Sequence, residues 1–100
     1  MSLAMQTICR AGTGSLAPGC VEALLASGGQ LVDVRSPADS SRYPFPGALN
    51  LPIESICYAY RRLNRQRPVI VYGASEFRSR RVAHLLAGKG FARIYHLSTD

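Results

Sequence analysis

The sequence has little cysteine, and the placement of these cysteines argues against two common kinds of small domain. The three cysteines, Cys9, Cys20 and Cys57, are odd in number and widely spaced, and no C-x-x-C pair occurs. Neither His84 nor His96 lies at ligand spacing from a cysteine. We therefore expect neither a disulfide framework nor a metal site, and we expect no cofactor. Unpaired cysteines favour a reducing environment, so we expect a cytoplasmic protein.

Long apolar runs are also missing. No run approaches the ~18 residues that a membrane-spanning helix needs. The N-terminus has no basic region followed by an apolar stretch, so we expect neither a signal peptide nor a membrane partner. Residues 1–4 precede a second methionine and are interpreted as an added leader. The remaining residues, 5–100, are enough for a single domain.

Acidic residues are scarce, with six Asp and Glu against twelve Lys and Arg and a net charge of +6. Most basic residues lie in the second half of the chain: Arg61, Arg62, Arg65, Arg67, Arg78, Arg80, Arg81, Lys89 and Arg93. Nucleic-acid binding is one interpretation, but no recognised motif appears and no aromatic platform interleaves with the arginines. A solvated basic face and attraction of a small anion are the others, and we favour a combination of these two.

The most informative stretch is VIVYGASEFRSRRVAHLL, residues 69–86. Its apolar, β-branched start predicts a parallel strand that is buried on both faces. Apolar residues then recur at helical spacing, so the residues between them, 73–78, form a strand–loop–helix turn. The backbone N–H groups of such a turn, together with the positive end of the helix dipole and Arg78, suit an anion. Neither Cys nor His occurs in the loop, so an obvious nucleophile is missing.

Strands alternate with helices along the whole chain. The predicted strands are 5–8, 31–34, 48–51, 69–72 and 93–97. The predicted helices are 18–26, 53–63 and 77–87, with one helical turn at 37–41 and a flexible turn at 11–14. This alternation predicts an α/β fold of three α/β/α layers, with a mostly parallel five-stranded sheet flanked by helices on both faces. Ligands of such sheets bind beyond the carboxyl ends of the strands, where the loop lies.

Four other residues carry separate expectations. Asp33 interrupts an apolar strand and needs hydrogen-bond donors there, for which Arg35 is the nearest candidate. The apolar residues of the helix at 53–63 form one continuous stripe that includes Cys57, which we therefore expect to face the core as a small apolar side chain. His84 falls off the apolar stripe of its helix and is expected to be exposed. His96 is expected at an edge or end of the sheet, and neither histidine is assigned a role.

Four ordered motifs resemble those of a single-domain rhodanese, a member of the sulfurtransferase and phosphatase-like superfamily. Residues 31–36 (LVDVRS) resemble the family's strand ending in Asp-Val-Arg, and 45–52 (FPGALNLP) resemble its Ile-Pro-Gly-Ala-x-Asn-x-Pro segment. Residues 69–72, followed by Arg78-Ser79, resemble its active-site strand and loop, and 90–97 resemble its closing strand. With their spacing, these motifs cover nearly the whole chain, and the resemblance implies the three-layer fold.

The resemblance also shows where this chain departs from the family. The family's loop begins with a cysteine that attacks a sulfane sulfur and carries it as a persulfide. The matching position here is Gly73, which has no side chain. Glu76 matches a glycine that is common later in the loop, and Tyr43-Pro44 matches the usual Gly-His. The chain also stops at Asp100, where family members usually continue into a Gly-Gly turn and a final helix, so we interpret the domain as shortened there.

The loop keeps its length, because Gly73 to Arg78 is six residues as in the sulfurtransferase branch and the phosphatase-like branch has one more. The resemblance thus implies an active-site and anion-binding loop with no intact nucleophile, supported by Asp33 and Arg35. Its residues are Gly73, Ala74, Ser75, Glu76, Phe77, Arg78 and Ser79.

These observations leave several functional hypotheses open. The first is an inactive rhodanese-like module with a binding or regulatory role, whose partners are a small anion (thiosulfate, sulfate or phosphate) and an unidentified protein. The second is an active sulfurtransferase whose loop cysteine has been replaced by Gly73, since one base change converts Cys to Gly. A third is that Cys9, Cys20 or Cys57 supplies the thiol. The fourth is a nucleic-acid-binding basic domain, which the sequence supports less than the first two.

Overall fold

The computed structural model describes residues 12–15 and 21–98, with only the backbone described at 12–15 and 98. Its strands are β1 (Gly12–Ser15), β2 (Gln30–Asp33), β3 (Leu49–Asn50), β4 (Val69–Gly73) and β5 (Arg93–Ser98). They form a sheet of order β1-β5-β4-β2-β3 in which every neighbouring pair is parallel. The helices between them are α1 (Val21–Ala26), α2 (Pro37–Arg42), α3 (Ile56–Ala59), continued by a 3-10 turn (Tyr60–Arg62), and α4 (Glu76–Gly88).

Both faces of the sheet are covered by helices, and β4 shows why its sequence has no polar alternation. Val69, Ile70 and Val71 are all fully buried. Val69 and Val71 pack in the cluster that contains Ile56 of α3 and residues of α4, whereas Ile70 packs in the cluster that contains α1. Since each face of β4 meets its own apolar layer, every one of these positions favours a β-branched residue. The predicted α/β/α arrangement is confirmed.

The outer strand β1 differs from the sequence prediction. Residues 12–14 were predicted to lie in a flexible turn, which is wrong, because Gly12–Ser15 is β1 and pairs with β5 along 93–96. Glycine and serine carry no apolar pattern, and only the backbone pairing makes this segment a strand. The predicted strand at 5–8 lies outside the described residues.

The predicted helix at 53–63 is shorter than expected. It contains one α-helical turn at α3 and then tightens into the 3-10 turn Tyr60–Arg62. The buried side chains of this segment are Ile56, Tyr60 and Leu63. Cys57 follows Ile56 by about 100° around the axis and is exposed, so its predicted core position is wrong.

The two histidines occupy different environments. His84 on α4 is exposed, as predicted. His96 is buried on β5, which lies between β1 and β4, so of the two predicted positions, an edge or an end of the sheet, the edge position is excluded. The cause is β1, which pairs along the outer side of β5 and removes the expected edge. Burial lowers the pKa of the His96 imidazole below its usual value.

Turn chemistry fixes the remaining connections. Ser36 caps α2 by accepting a hydrogen bond from the Asp39 amide at 3.1 Å, and Pro37 occupies the first turn of the helix, which agrees with the helical turn predicted at 37–41. Gly28, Gly47 and Gly90 have positive φ angles that suit glycine alone among common residues. Among residues 12–15 and 21–98, no helix is long and apolar enough to cross a bilayer.

Candidate functional site

The strand ends at the carboxyl edge of the sheet surround a small cavity. We use "carboxyl edge" for the side where β2, β3 and β4 end. The cavity has a volume of about 80 Å³. It is lined by Val34, Arg35, Ser36, Asp39, Ile53, Glu54, Ala74 and Arg78. Three segments that are distant in sequence therefore meet at one place, as expected for a parallel α/β sheet.

Asp33 and Arg35 form a buried ion pair beside this cavity. Arg35 Nε donates to Asp33 Oδ1 at 3.0 Å and Arg35 Nη2 donates to Asp33 Oδ2 at 2.8 Å, and the Arg35 backbone amide adds a third bond to Oδ1 at 3.0 Å. Arg35 Nη2 also donates to the Tyr43 carbonyl oxygen at 2.7 Å, which ties down the segment after α2. The predicted pairing of these two residues is confirmed.

The environment of Asp33 keeps it ionised. Burial alone would raise its pKa, but the hydrogen bonds and charge of Arg35 outweigh that cost, so the pKa of Asp33 lies below its ordinary value of 3.8. The Arg35 guanidinium also lies 4.8 Å from the centroid of the Tyr72 ring. Since Asp33, the Tyr43 carbonyl and the Tyr72 ring occupy so much of its surface, Arg35 acts mainly as a structural cation.

Gly73 is the last residue of β4 and is buried. A Cβ atom built on it would lie 2.6 Å from Ser79 Oγ, 3.4 Å from Val34 Cγ2 and 3.6 Å from the Ser79 amide nitrogen. Ser79 is fully buried on α4 and its hydroxyl lies 3.4 Å from the Leu97 carbonyl oxygen. The Ser79 hydroxyl thus occupies the space that a side chain at position 73 would need.

The first turn of α4 presents unpaired backbone donors. Ser75 caps the helix, because its Oγ accepts a hydrogen bond from the Arg78 amide at 3.2 Å. The Ser79 amide donates to the Ser75 carbonyl oxygen at 3.0 Å. The amides of Ser75, Glu76 and Phe77 have no hydrogen-bond partner among the described residues. Free N–H groups at the start of a thirteen-residue helix are favourable for an anion.

The side chains of the loop divide into two groups. Ala74 and Arg78 line the cavity together with Arg35. Glu76 instead pairs with Arg80 at 2.7 Å in an exposed i,i+4 bridge, and Phe77 is 67% exposed with the Arg81 guanidinium 5.8 Å from its ring centroid. Of the predicted site residues, Arg35, Ala74 and Arg78 thus share the cavity.

Sequence reasoning missed two acidic residues of the site. Asp39 on α2 and Glu54, shortly after β3, both line the cavity with Arg78. They make the site electrostatically mixed, because carboxylates and guanidinium groups face the same space. Glu54 lies four residues beyond Asn50, the last residue of β3, and this position after a strand end was the signal that could have identified it.

A second cavity lies beside the first, between α3 and α4. It has a volume of about 210 Å³ and is lined by Ile53, Ile56, Cys57, Arg81, Val82 and Leu85. Ile53 lines both cavities, so the exposed Cys57 thiol lies next to the loop site without lining it. Within the described part of the chain, His, Cys, Asp and Glu side chains form no group of three or more that could hold a metal.

The parallel sheet lies between two layers of helices and has a strand–loop–helix site at its carboxyl edge, so the protein is a three-layer α/β domain. Comparison with known proteins identifies its family. A family model described as Rhodanese-like domain matches residues 17–99, and the chain belongs to that family. It is 33% identical over 67 residues to a sulfurtransferase of Allochromatium vinosum, covering 67% of this chain and 63% of that protein. It is 32% identical over 68 residues to the uncharacterized protein YqhL of Bacillus subtilis, covering 68% of this chain and 54% of that protein.

A solved structure agrees with this assignment. The rhodanese-related protein of Thermoplasma volcanium superposes with a TM-score of 0.71 at 21% identity, covering 87% of this chain and 83% of that one. At this identity the comparison speaks for the fold. The chain spans less than two thirds of the length of both curated relatives. Family and fold, which the sequence motifs had indicated, are thus confirmed.

Proposed function

We propose that this chain is a rhodanese-like domain of the thiosulfate sulfurtransferase type that is catalytically inactive as it stands, and that it serves as a binding or regulatory module. Sulfur transfer by this route needs a thiolate that attacks the sulfane sulfur of the donor and holds it as a persulfide. By its place in the motif, Gly73 occupies the position of that nucleophile. We retain the cytoplasmic location predicted from the cysteines as part of this proposal.

The observation that carries the proposal is the packing around Gly73. A glycine has no nucleophilic atom, and the Ser79 hydroxyl fills the space beside it, 2.6 Å from where a Cβ would lie. The described loop residues, Ala74 to Ser79, contain neither Cys nor His. The loop therefore has the backbone arrangement that would position a nucleophile, but none of its residues provides a thiol or an imidazole.

The retained chemistry of the loop favours binding of a small anion such as thiosulfate, sulfate or phosphate. Three free amides at the start of α4 lie next to Arg78. Glu54 and Asp39 line the same cavity and would repel a bound anion. Because these carboxylates and the arginines face one another, we expect weak, millimolar affinity rather than tight binding.

A paired transfer assay tests the proposal. Thiosulfate-to-cyanide sulfur transfer is measured on the unmodified protein, on Gly73→Cys and on Gly73→Ser, which supplies a similar volume without a thiolate. The unmodified protein and Gly73→Ser should show only the uncatalysed rate. Transfer by the unmodified protein well above that rate would overturn the assignment as inactive.

The Gly73→Cys result separates a lost nucleophile from a lost site. Robust transfer would support the alternative hypothesis, an enzyme whose cysteine has been replaced by Gly73. The double variant Gly73→Cys/Ser79→Ala belongs in the same assay, because Ser79→Ala removes the 2.6 Å contact and leaves only ordinary contacts of 3.4 and 3.6 Å. If both variants stay inactive while folded, Glu76 is the next residue to restore to glycine.

Cys57 supports a second candidate, because it is exposed and lines the neighbouring cavity. The Cys57 thiolate could attack the sulfane sulfur of thiosulfate bound between Ile53 and Arg81, which would break the S–S bond, form a persulfide on Cys57 and release sulfite. The variant Cys57→Ser decides this. Any transfer by the unmodified protein that disappears in Cys57→Ser assigns the activity to this thiol, and transfer that survives excludes it.

A further inference from the structure

The acidic side chains of the described residues are concentrated at one end of the strands. All the described acidic residues lie toward the carboxyl edge: Glu22 in the first turn of α1, Asp33 at the end of β2, Asp39 and Glu54 at the cavity, and Glu76 in the first turn of α4. The described ion pairs, Asp33–Arg35 and Glu76–Arg80, lie there as well. Among the described residues, no carboxylate side chain lies at the other end of the sheet.

That other end, where β2, β4 and β5 begin, is here called the amino edge. Three connections meet there through arginine side chains that donate to backbone carbonyl oxygens. Arg67 Nε donates to Gly28 at 2.7 Å, Arg65 Nε donates to Lys89 at 2.6 Å, and Arg93 Nη2 donates to Gln66 at 2.7 Å. Each of these bonds fixes the position of a guanidinium group while the residue as a whole stays exposed.

The centre of this edge is a cluster of three cations around Tyr60. Arg61 Cζ, Arg65 Cζ and Lys89 Nζ lie 5.9, 5.8 and 5.3 Å from the centroid of its ring. Arg65 also lies 5.7 Å from the ring of Phe91. Hydrogen bonding from Arg61 and the charges of Lys89 and the arginines lower the pKa of the Tyr60 hydroxyl. The ring faces reduce the mutual repulsion of the three cations but supply no negative charge.

We define the basic surface as the six exposed cations of the amino edge. They are Arg61, Arg62, Arg65, Arg67, Lys89 and Arg93. None of them forms an ion pair with a carboxylate of the described residues. We propose that the basic surface binds an acidic, Asp- and Glu-rich segment of a partner protein. Because it lies at the opposite end of the strands from the loop, such a partner could remain bound while the loop stays open.

The side chains of the basic surface favour a carboxylate-rich protein over nucleic acid. Five of the six cations are arginines, whose planar forks bind carboxylates with two hydrogen bonds, and backbone bonds already hold three of them in place. Tyr60 and Phe91 are 8% and 3% exposed, so neither ring is available for a base to stack on. The described elements also present no helix that could enter a groove at this edge, since α4 ends there.

Fluorescence anisotropy with a labelled octaglutamate peptide tests this proposal at about 20 mM and about 150 mM salt, where screening differs strongly. The double variant Arg61→Gln/Lys89→Gln removes two charges of the cluster without touching a side-chain bond to the backbone. The control Arg42→Gln/Arg81→Gln removes two exposed charges from α2 and α4. We expect binding about fivefold to tenfold weaker for the cluster variant at low salt and within twofold of the unmodified protein for the control.

Three outcomes would overturn the proposal: absence of binding at low salt, equal losses in the two double variants, and tighter binding of an oligothymidylate of equal charge. Equal losses would mean that net charge alone attracts the peptide. Tighter oligothymidylate binding would assign the basic surface to nucleic acid. The result is independent of the proposed function, because peptide binding is measured without any transfer reaction and the Arg61→Gln/Lys89→Gln change leaves residues 73–79 untouched.

Discussion

At the carboxyl edge, the buried guanidinium of Arg35 meets the carboxylate of Asp33 at 2.8 Å, and Arg78 shares a cavity with Glu54. At the amino edge, Arg61, Arg65 and Lys89 crowd around Tyr60 and meet no carboxylate of the described residues. The first arrangement is internally compensated, so it can stabilise the fold. The second is uncompensated within the described residues, so its cations are available to salt ions or to a binding partner.

This difference separates residues that hold the fold from residues that are available for binding. A buried, paired charge is costly to disturb, because the partner left behind remains buried without its counterion. An exposed, unpaired charge contributes little to folding and can even reduce stability through repulsion. Each of the following substitutions therefore tests whether a residue stabilises the fold or is available for binding.

The largest effect is expected for Arg35→Met. Removing the guanidinium leaves the Asp33 carboxylate buried and unpaired, which should lower the free energy of unfolding by about 3–5 kcal/mol. Urea denaturation at pH 7 measures the change. The exposed Arg42→Met on α2 is the control, with an expected change within about 0.5 kcal/mol. A decrease of less than about 1 kcal/mol in the free energy of unfolding of Arg35→Met would contradict the view that Arg35 compensates the buried charge of Asp33.

The same pair has a defined pH dependence. The pKa of Asp33 is below 3.8 in the folded protein, so the folded state binds its proton less readily than the unfolded chain does. Its contribution is therefore complete above about pH 4 and is lost as the pH falls through the folded pKa. The stability difference between the protein and Asp33→Asn should narrow over that acidic range and stay constant between pH 5 and 8.

A smaller effect is expected for Gly73→Ala. The added Cβ meets the Ser79 hydroxyl at 2.6 Å in a fully buried position, and overpacking of this kind costs about 1–3 kcal/mol. In Ser79→Ala that hydroxyl is absent, so adding Gly73→Ala to it should cost markedly less. A double-mutant cycle by urea denaturation measures the coupling. If the losses of stability in the two single variants simply add up in the double variant, the contact with the Ser79 hydroxyl is not the cause of the Gly73→Ala effect.

The smallest effect, and one of opposite sign, is expected at the amino edge. Arg61→Gln relieves repulsion among three neighbouring cations, so it should leave stability unchanged or raise it by about 0.3 kcal/mol at low salt. The gain should disappear near 1 M salt, where the Debye length is only about 3 Å. Thermal unfolding at both salt concentrations measures it. A clear loss of stability at low salt would place Arg61 with the residues that hold the fold.

The central part of the fold was predictable because its signals are local. The apolar run Val69–Gly73 has the composition of a strand buried on both faces, and Ser36-Pro37 carries its own capping chemistry. The peripheral elements were not predictable in the same way. Gly12–Ser15 becomes a strand only through pairing with β5, and Cys57 is exposed because α3 is a single turn.

The candidate site was predictable in part for the same reason. The loop and Arg35 follow strands that have clear apolar patterns, so their meeting at the carboxyl edge could be inferred. Glu54 and Asp39 enter the cavity through the packing of separate connections, and no spacing in the sequence joins them to Arg78. The cluster at Tyr60 likewise unites Arg61 and Lys89, which are far apart in the chain.

The most direct test of the central claim, that the loop after β4 retains an anion site at the carboxyl edge, is a titration of the ¹⁵N-labelled protein with thiosulfate, followed by amide chemical shifts. We expect saturable amide shifts at residues 74–79 that are smaller or absent in Arg78→Gln, whereas the amides of residues 61–67 at the amino edge should shift little. Unmoved amides at 74–79 over the whole titration would contradict the claim, as would shifts confined to the amino edge.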